Sequence, residues 1–433
     1  MGIQLGIVGV GSFAQGFIPL FKAHPLVDRV VLCDLDADKL QQNAARHKIS
    51  DTSPSLDALC DNANIDAVVI LTQNWLHAPQ AIQALAAGKQ VYSAVPAGIS
   101  LEEIRELVQT VERTGGIYMI GETSFYYPGV IYCRDRYSRG DFGRVVYAEA
   151  EYYHDFDHGL YEVYKHRGGE NWREIAGGPP MHYPTHSTSQ IISVTGAYMT
   201  SVSCRGFVDD HTDGLFGDEA NRWNNRFSNE SALFAMSDGS SCRINEFRRI
   251  GHPGAVRMSL FGTEGSFEQS AAGAVWVTRD RDATLNLDDE LASSGVRVAA
   301  PPEEEDPVSS PPISDAPPGM DFVTAADGTH LGVSSLHDVG RLPPEFLGLP
   351  NGHSGSHQFL VDDFVRACAD DDKQPPNNVW PNNVWAAARY TIPGIVAHES
   401  AEREGELLDV PDFGPAPTPE MRGDRPAFAK GRP

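Results

Sequence analysis

Residues 6–15 read GIVGVGSFAQ, and the spacing of their glycines decides the fold. Gly9, Gly11 and Ala14 follow the pattern Gly-x-Gly-x-x-Ala, a weak signal when it stands alone. Its surroundings strengthen it. IQLGIV (3–8) ahead of it reads as a buried strand, Ala14 to Lys22 as a helix, and RVVLCDLD (29–36) as a second strand with Asp34 near its end. Gly9 permits the tight turn and Gly11 lets the backbone approach a pyrophosphate. Ser12 and Phe13 complete the turn, Ala14 allows close helix packing, and the helix start supplies a positive field. Asp34 is expected to hold adenosine ribose hydroxyls. Leu35 follows it, with no arginine to pair a 2′-phosphate, so NAD is expected rather than NADP. The competing reading, a glycine turn in some other α/β fold, suits this context less well.

The alternation continues outward from that turn. DADKLQQNAARH (36–47), HAPQAIQALAAGK (77–89) and LEEIRELVQTVERTG (101–115) have helical periodicity, while IDAVVILTQN (65–74), QVYSAVP (90–96) and IYMIGE (117–122) are nearly continuous apolar runs. Strands of that kind between helices form a parallel sheet covered on both faces, which gives a Rossmann domain over 1–122. Beyond Tyr126 the pattern changes. RVVYAEAEYYHDF (144–156) alternates, and the segments 192–208, 230–247 and 256–270 carry Gly or Asp-Gly turns. The expectation is a second α/β domain, 123–412, with a mostly antiparallel open sheet. Within it, about 280–350 is Pro-, Ser- and acid-rich and reads as an exposed insertion. HQFLVDDFVRACADDD (357–372) and NNVWAAARYTIPGIVAHESAEREG (382–405) read as helices returning to that second domain. Residues 413–433 read as a loose or wrapping tail.

Composition narrows the function. The 433 residues carry a formal net charge of -25, which argues against nucleic acid as a partner. The six cysteines are scattered, without a C-x-x-C pair, and suit reduced buried thiols better than zinc ligands or disulfides. The chain runs directly into its first strand without a basic n-region or cleavage site, and no apolar run approaches the roughly 18 residues of a membrane span. A cytoplasmic protein with no membrane partner is expected. The cluster YHDFDHGLYEVYKHRGGENWRE (153–174) lacks a recognised metal-ligand spacing, so no metal site is expected, and a sugar-binding loop fits its polar and aromatic content better.

Further motifs recur in order: Thr72-Gln73-Asn74 with His77; AGKQVYSAVPAG (87–98); Trp172-Arg173; and Gly177-Gly178 leading to His186. Together with the glycine turn they resemble the Gfo/Idh/MocA family of NAD-dependent sugar and polyol dehydrogenases. That resemblance implies cofactor contacts at Thr72, Asn74, His77, Val95 and Pro96, and places Trp172 and Arg173 near the nicotinamide. It also implies an open sheet that forms the interface of a homodimer or homotetramer. Two departures stand out. The family's Glu-Lys-Pro is Ala94-Val95-Pro96 here, so the usual lysine is absent, and His182 stands where an aspartate often precedes the histidine. Val-Pro with Tyr-Pro-Thr-His (183–186) is similar to the branch containing NAD-dependent α-N-acetylgalactosaminidases, which implies His186 and Tyr152 as functional residues.

The chemistry expected of the residues themselves agrees. An alcohol losing hydride needs a base, and histidine, with an ordinary pKa of about 6.5, suits the task. His186 is the first candidate, against a structural histidine at a helix start. Tyr152 is the second, acting as acid or base if a neighbour lowers its pKa, against a packing aromatic. His182 would orient His186 or the sugar. Tyr152 and His154 share one face of their strand, opposite Tyr153 and Asp155; His154, Asp155 and Tyr183 are candidate substrate contacts. Glu122, at the end of the last Rossmann strand, is a candidate ribose or substrate contact. The activity expected is NAD-dependent oxidation of a sugar or glycoside hydroxyl, by preference at C3. The alternatives are a glycosidase that oxidises C3 transiently, and a non-catalytic NAD-binding sensor.

Overall fold

A computed structural model of the chain describes residues 2–293, 296–297, 329–369 and 380–417. The first sheet has six parallel strands: β1 (Ile3–Val8), β2 (Val27–Cys33), β3 (Thr52–Ser53), β4 (Ala67–Ile70), β5 (Gln90–Ser93) and β6 (Tyr118–Ile120), in the order β3-β2-β1-β4-β5-β6. The Rossmann domain is therefore as expected. Its central strands are buried on both faces by alternation. Leu5, Ile7 and Val69 enter one core, while Val8, Val68 and Ile70 enter the other. Side-chain caps start its helices: Asp36, Ser55 and Ser100 accept from Lys39, Ala58 and Glu103 N–H. Strand order reverses between β1 and β4, which opens the crevice where such sheets bind ligands.

The helix expected from Ala14 is broken. Phe13–Gly16 is a 3-10 turn and the α-helix is Ile18–Ala23. Pro19, second in that helix, has no N–H to continue an earlier turn.

The second sheet has nine strands. Eight are β7 (Val145–Tyr153), β8 (Met199–Val208), β9 (Phe227–Met236), β10 (Ser241–Phe247), β11 (Ala255–Gly262), β12 (Gly265–Ser270), β13 (Gly273–Thr278) and β14 (Leu285–Asn286), ordered β14-β13-β12-β11-β7-β10-β9-β8 and closed by Leu408–Asp409. Only β7 and β10 pair in parallel; the rest are antiparallel, as expected. Helices Thr185–Thr195 and Val384–Glu402 pack against one another and against this sheet.

The segment after the acid-rich stretch departs from expectation. Residues 298–328 lie outside the described residues, but Val333, Leu342 and Phe346 are buried. Helix Ser356–Ala369, read from sequence as returning to the second domain, packs on the first sheet instead. Its Phe359 and Phe364 join Phe17, Phe21 and Tyr92 there, because the local helix Ile18–Ala23 is too short to cover that face. Asp362 fixes the segment, held by His24 Nε2 at 3.2 Å, Arg341 at 3.2 Å and Arg366 at 2.8 Å. Of the expected tail, Phe413 lies under Arg105 of the helix Leu101–Thr114, and residues 418–433 lie outside the described residues.

Candidate active site

A cleft of about 430 Å³ runs from the glycine turn of the first domain to His186 of the second. At its first end Gly9 has φ +88°, and a Cβ there would lie 2.7 Å from Leu71 O on the neighbouring strand end. Only glycine fits both constraints. A Cβ at Gly11 would meet nothing nearer than Lys39 Nζ at 3.9 Å, so that stretch of backbone is open. Val10 N–H donates to Asp34 Oδ2 at 3.0 Å, tying the carboxylate at the end of β2 to the turn. Buried His77 sits between two carbonyls, Nδ1 at 2.8 Å from Pro96 O and Nε2 at 3.2 Å from Thr72 O. It thereby clamps the turns after β4 and β5. Gly9, Gly11, Ser12, Phe13 and Asp34 line the cleft, as do Thr72, Asn74, His77 and Val95. An open glycine backbone with an acidic group at the second strand end fits a dinucleotide carrying free ribose hydroxyls.

At the other end, His186 Nδ1 lies 2.8 Å from Glu122 Oε1, and both side chains are buried. Ser124 N–H also donates to that oxygen at 2.8 Å. Burial opposes a charged imidazole, but the Glu122 charge and hydrogen bond outweigh it, and the His186 pKa is raised. Burial likewise opposes the carboxylate, and the charge and hydrogen bond of His186 hold its pKa below the usual range. With Nδ1 committed to an acceptor-only carboxylate, Nε2 is the atom left for the cleft. Tyr152 packs on His186, ring centroids 5.4 Å apart, and its hydroxyl lies 2.9 Å from His154 Nδ1. The expected shared face of Tyr152 and His154 is present. The Tyr152 pKa is not lowered: burial pushes it up to about 12 despite Arg248, whose guanidinium is 4.9 Å from the ring centroid. Tyr152 is a neutral hydrogen-bonding group at working pH, not a base.

His182 and Tyr183 also line the cleft. Burial and the neighbouring His398 push the His182 pKa down to about 3. His398 is in turn held by buried Glu230 at 2.8 Å. Glu230, Glu246 and Tyr152 lie in one row across β9, β10 and β7. Glu246 accepts from Ser187 Oγ and from Arg248, so the strands fix the base of the site through the helix bearing His186.

Several expected residues lie elsewhere. Glu122 is buried behind His186 and does not line the cleft; it positions the histidine. Asp155 accepts from Asp157 N–H and Ile250 N–H, closing a local turn. Trp172 packs beside Tyr161, Arg173 covers its ring, and neither reaches the cleft. Ala14 is core and Pro96 contributes a carbonyl from behind. From the same polar cluster it is the helix Leu160–Gly168 that lies over the cleft, with Tyr164, His166 and Arg167 lining it. His166 Nε2 is 2.7 Å from Ser12 Oγ, across the glycine turn. Further residues not singled out from the sequence also line the cleft, among them Arg248, Trp75, Trp223 and His353. His353 follows a Gly beside a poorly patterned insertion, and Trp75 adjoins the Thr72–His77 motif, the one signal that pointed at it.

The fold and cleft define a Rossmann-type parallel sheet joined across a cleft to a second, mostly antiparallel sheet. Residues 3–122 match the Gfo/Idh/MocA family, described as an oxidoreductase family with an NAD-binding Rossmann fold. It is 25% identical over 296 residues to a glycosyl hydrolase family 109 protein of Saccharopolyspora erythraea, covering 62% of this chain and 63% of that one. It is 27% identical over 217 residues to a 2,7-anhydro-N-acetylneuraminate hydratase of Mediterraneibacter gnavus, covering 50% and 56%. The matches thus span less than two thirds of the length of these curated relatives. Levoglucosan dehydrogenase in complex with NADH has the same fold, with a TM-score of 0.68, 16% identity, and coverage of 95% of this chain and 100% of that one.

Proposed function

We propose that the chain is an NAD-dependent oxidoreductase that oxidises a hydroxyl, by preference C3, of a sugar or glycoside. The observation that carries this reading is His186, its Nδ1 on buried Glu122 and its ring in the cleft that contains the glycine turn. Gly9, Gly11 and Ser12 would hold the pyrophosphate and Asp34 the adenosine ribose, with Thr72 and Asn74 beyond. NAD bound there supplies a hydride acceptor. His186 Nε2 accepts the hydroxyl proton, and Glu122 stabilises the imidazolium that results. Tyr152 and His154 hold sugar hydroxyls by neutral hydrogen bonds. The helix Leu160–Gly168 excludes water and keeps the cofactor tightly bound through the His166–Ser12 contact.

A second reading is a glycosidase in which C3 oxidation is transient, followed by elimination of the aglycone, water addition and re-reduction. Val95 in place of a lysine and the relatives named for glycoside hydrolysis and anhydrosugar hydration support it. The compartment is taken to be the cytoplasm; among the described residues no helix is long and apolar enough to cross a membrane. Assembly as a homodimer or homotetramer is proposed through the outer face of the second sheet. There Leu233 is exposed beside the Arg243–Glu149 pair, and Tyr147 lies against Phe261.

The test is a panel of p-nitrophenyl glycosides and free sugars, with and without added NAD, followed by nitrophenol release and NADH absorbance. Stoichiometric NADH supports the dehydrogenase, and nitrophenol without net NADH the redox glycosidase. Bound NAD with neither signal across the panel would favour the sensor.

A further inference from the structure

His353 and His357 come from the segment that follows the acid-rich stretch, and nothing in the reaction above uses them. His353 lines the cleft beside His186, ring centroids 6.4 Å apart. It has φ 49° and Ser354 has φ 53°, two consecutive non-glycine residues in the left-handed region. Such residues cost about 1–3 kcal/mol each and persist where surrounding structure imposes them. His357 supplies that structure. It is buried against Phe17, ring centroids 4.2 Å apart, and its Nε2 lies 2.9 Å from His353 Nδ1. Phe13 of the glycine turn touches both rings, each centroid 6.0 Å away. The first domain therefore carries one imidazole into the cleft and the second domain another.

Hydrogen-bond accounting gives the two rings opposite polarity. His357 Nδ1 is buried without a hydrogen-bond partner among the described residues. An unpaired buried lone pair is tolerated better than an unpaired buried N–H. His357 therefore carries its hydrogen on Nε2 and donates it to His353 Nδ1. Neutral His353 then carries its own hydrogen on Nε2, its remaining ring nitrogen. At His186 the assignment is reversed, because Nδ1–H faces a carboxylate and Nε2 is bare. Burial, with a further contribution from His186, pushes the His353 pKa down to about 4, so the ring is neutral at working pH.

We propose that His353 is a catalytic hydrogen-bond donor, its neutral Nε2–H holding the substrate oxygen whose proton His186 removes. The proposal rests on the dehydrogenation reading of the cleft. In the step, the O–H bond breaks and its proton goes to His186 Nε2. NAD, which Gly9, Gly11 and Asp34 would hold, would supply the acceptor for the C–H hydrogen and its electron pair, so that the oxidation balances. The C=O bond forms between the two histidines. His353 keeps its proton throughout and stabilises charge on the oxygen, a role that neutral imidazole fills well. His357 is a positioning residue that fixes the tautomer.

The test compares His353→Leu with His353→Gln in the full chain loaded with NAD. Loss of one such donor is expected to lower kcat about 10²–10³-fold. NAD affinity should stay within about twofold and the pH limb belonging to His186 should not move. Gln, which retains an N–H, should restore much of the rate. Wild-type kcat in His353→Leu would overturn the proposal. A second readout needs no substrate. In the protein with 15N-labelled histidine, NMR should show His353 as the neutral Nε2–H tautomer from about pH 6 to about 9, and His357→Phe should relax that preference. An Nδ1–H tautomer or a charged ring at neutral pH would overturn it. If no sugar is turned over by the wild type, the functional reading fails, and the tautomer still decides the assignment of His353.

Discussion

Replacing Glu122 by Gln isolates the interaction on which the chemistry depends. The substitution preserves shape and can still accept from Ser124 N–H, but removes the charge 2.8 Å from His186 Nδ1. Burial then dominates, and the His186 pKa, raised in the wild type, should fall. A weaker base transfers protons less effectively, so kcat should drop about 10²–10⁴-fold, while the limb on which activity rises with pH should move to lower pH. Stability follows a different course. The folded pKa of His186 lies above its ordinary value of about 6.5, so its contribution is complete below that pH and is lost as pH rises through the folded value. The folded pKa of Glu122 is depressed, so its contribution is present above about 4.3 and lost as pH falls through the folded value. The stability gap between wild type and variant should be widest between about pH 4.3 and 6.5 and narrow above. Breaking a buried pair by removing one partner costs about 3–5 kcal/mol, and the isosteric Gln should give the lower end of that range. Urea denaturation across pH, with pH profiles of kcat/KM, measures both. An unshifted activity limb, or a stability gap that widens toward alkaline pH, would show that Glu122 does not set the charge of His186.

Other outcomes follow from the same geometry. Asp34→Ala should weaken NAD binding and erase the preference over NADP, as measured by cofactor titration. Gly9→Ala places a Cβ 2.7 Å from Leu71 O at φ +88°, so thermal denaturation should show a loss of more than about 1 kcal/mol together with loss of NAD binding. His166→Ala should speed NAD release in a stopped-flow chase without altering the fold, because it removes the contact across the glycine turn. Asp362→Ala removes the buried carboxylate that His24, Arg341 and Arg366 share and should cost about 3–5 kcal/mol in urea denaturation.

The cofactor half of the cleft was legible because each of its residues serves a local need. Gly9 needs a positive φ, Asp34 ends a strand, and His77 clamps the two turns, all within one strand–helix alternation. His186, Tyr152 and His154 were legible through strand parity and the Tyr-Pro-Thr-His segment. What sequence could not show was long-range. Periodicity marks Phe359 and Phe364 as one apolar face without saying which sheet that face covers, so the sequence alone does not bring the helix Ser356–Ala369 to the first sheet or His353 to the cleft. Strand ends in such sheets face the crevice, so the sequence alone makes Glu122 a candidate ligand contact. Only the packing of the helix Thr185–Thr195 turns it toward His186. The burial that raises the Tyr152 pKa is likewise a product of the assembled core.

The proposed oxidation of a sugar hydroxyl requires His186 as its base, in the cleft that contains the glycine turn. The most direct test is His186→Ala in the NAD-loaded protein, with NADH absorbance and nitrophenol release followed on a substrate that the wild type turns over. Both signals should vanish while NAD affinity is unchanged. Wild-type rates in that variant would exclude His186 as the base.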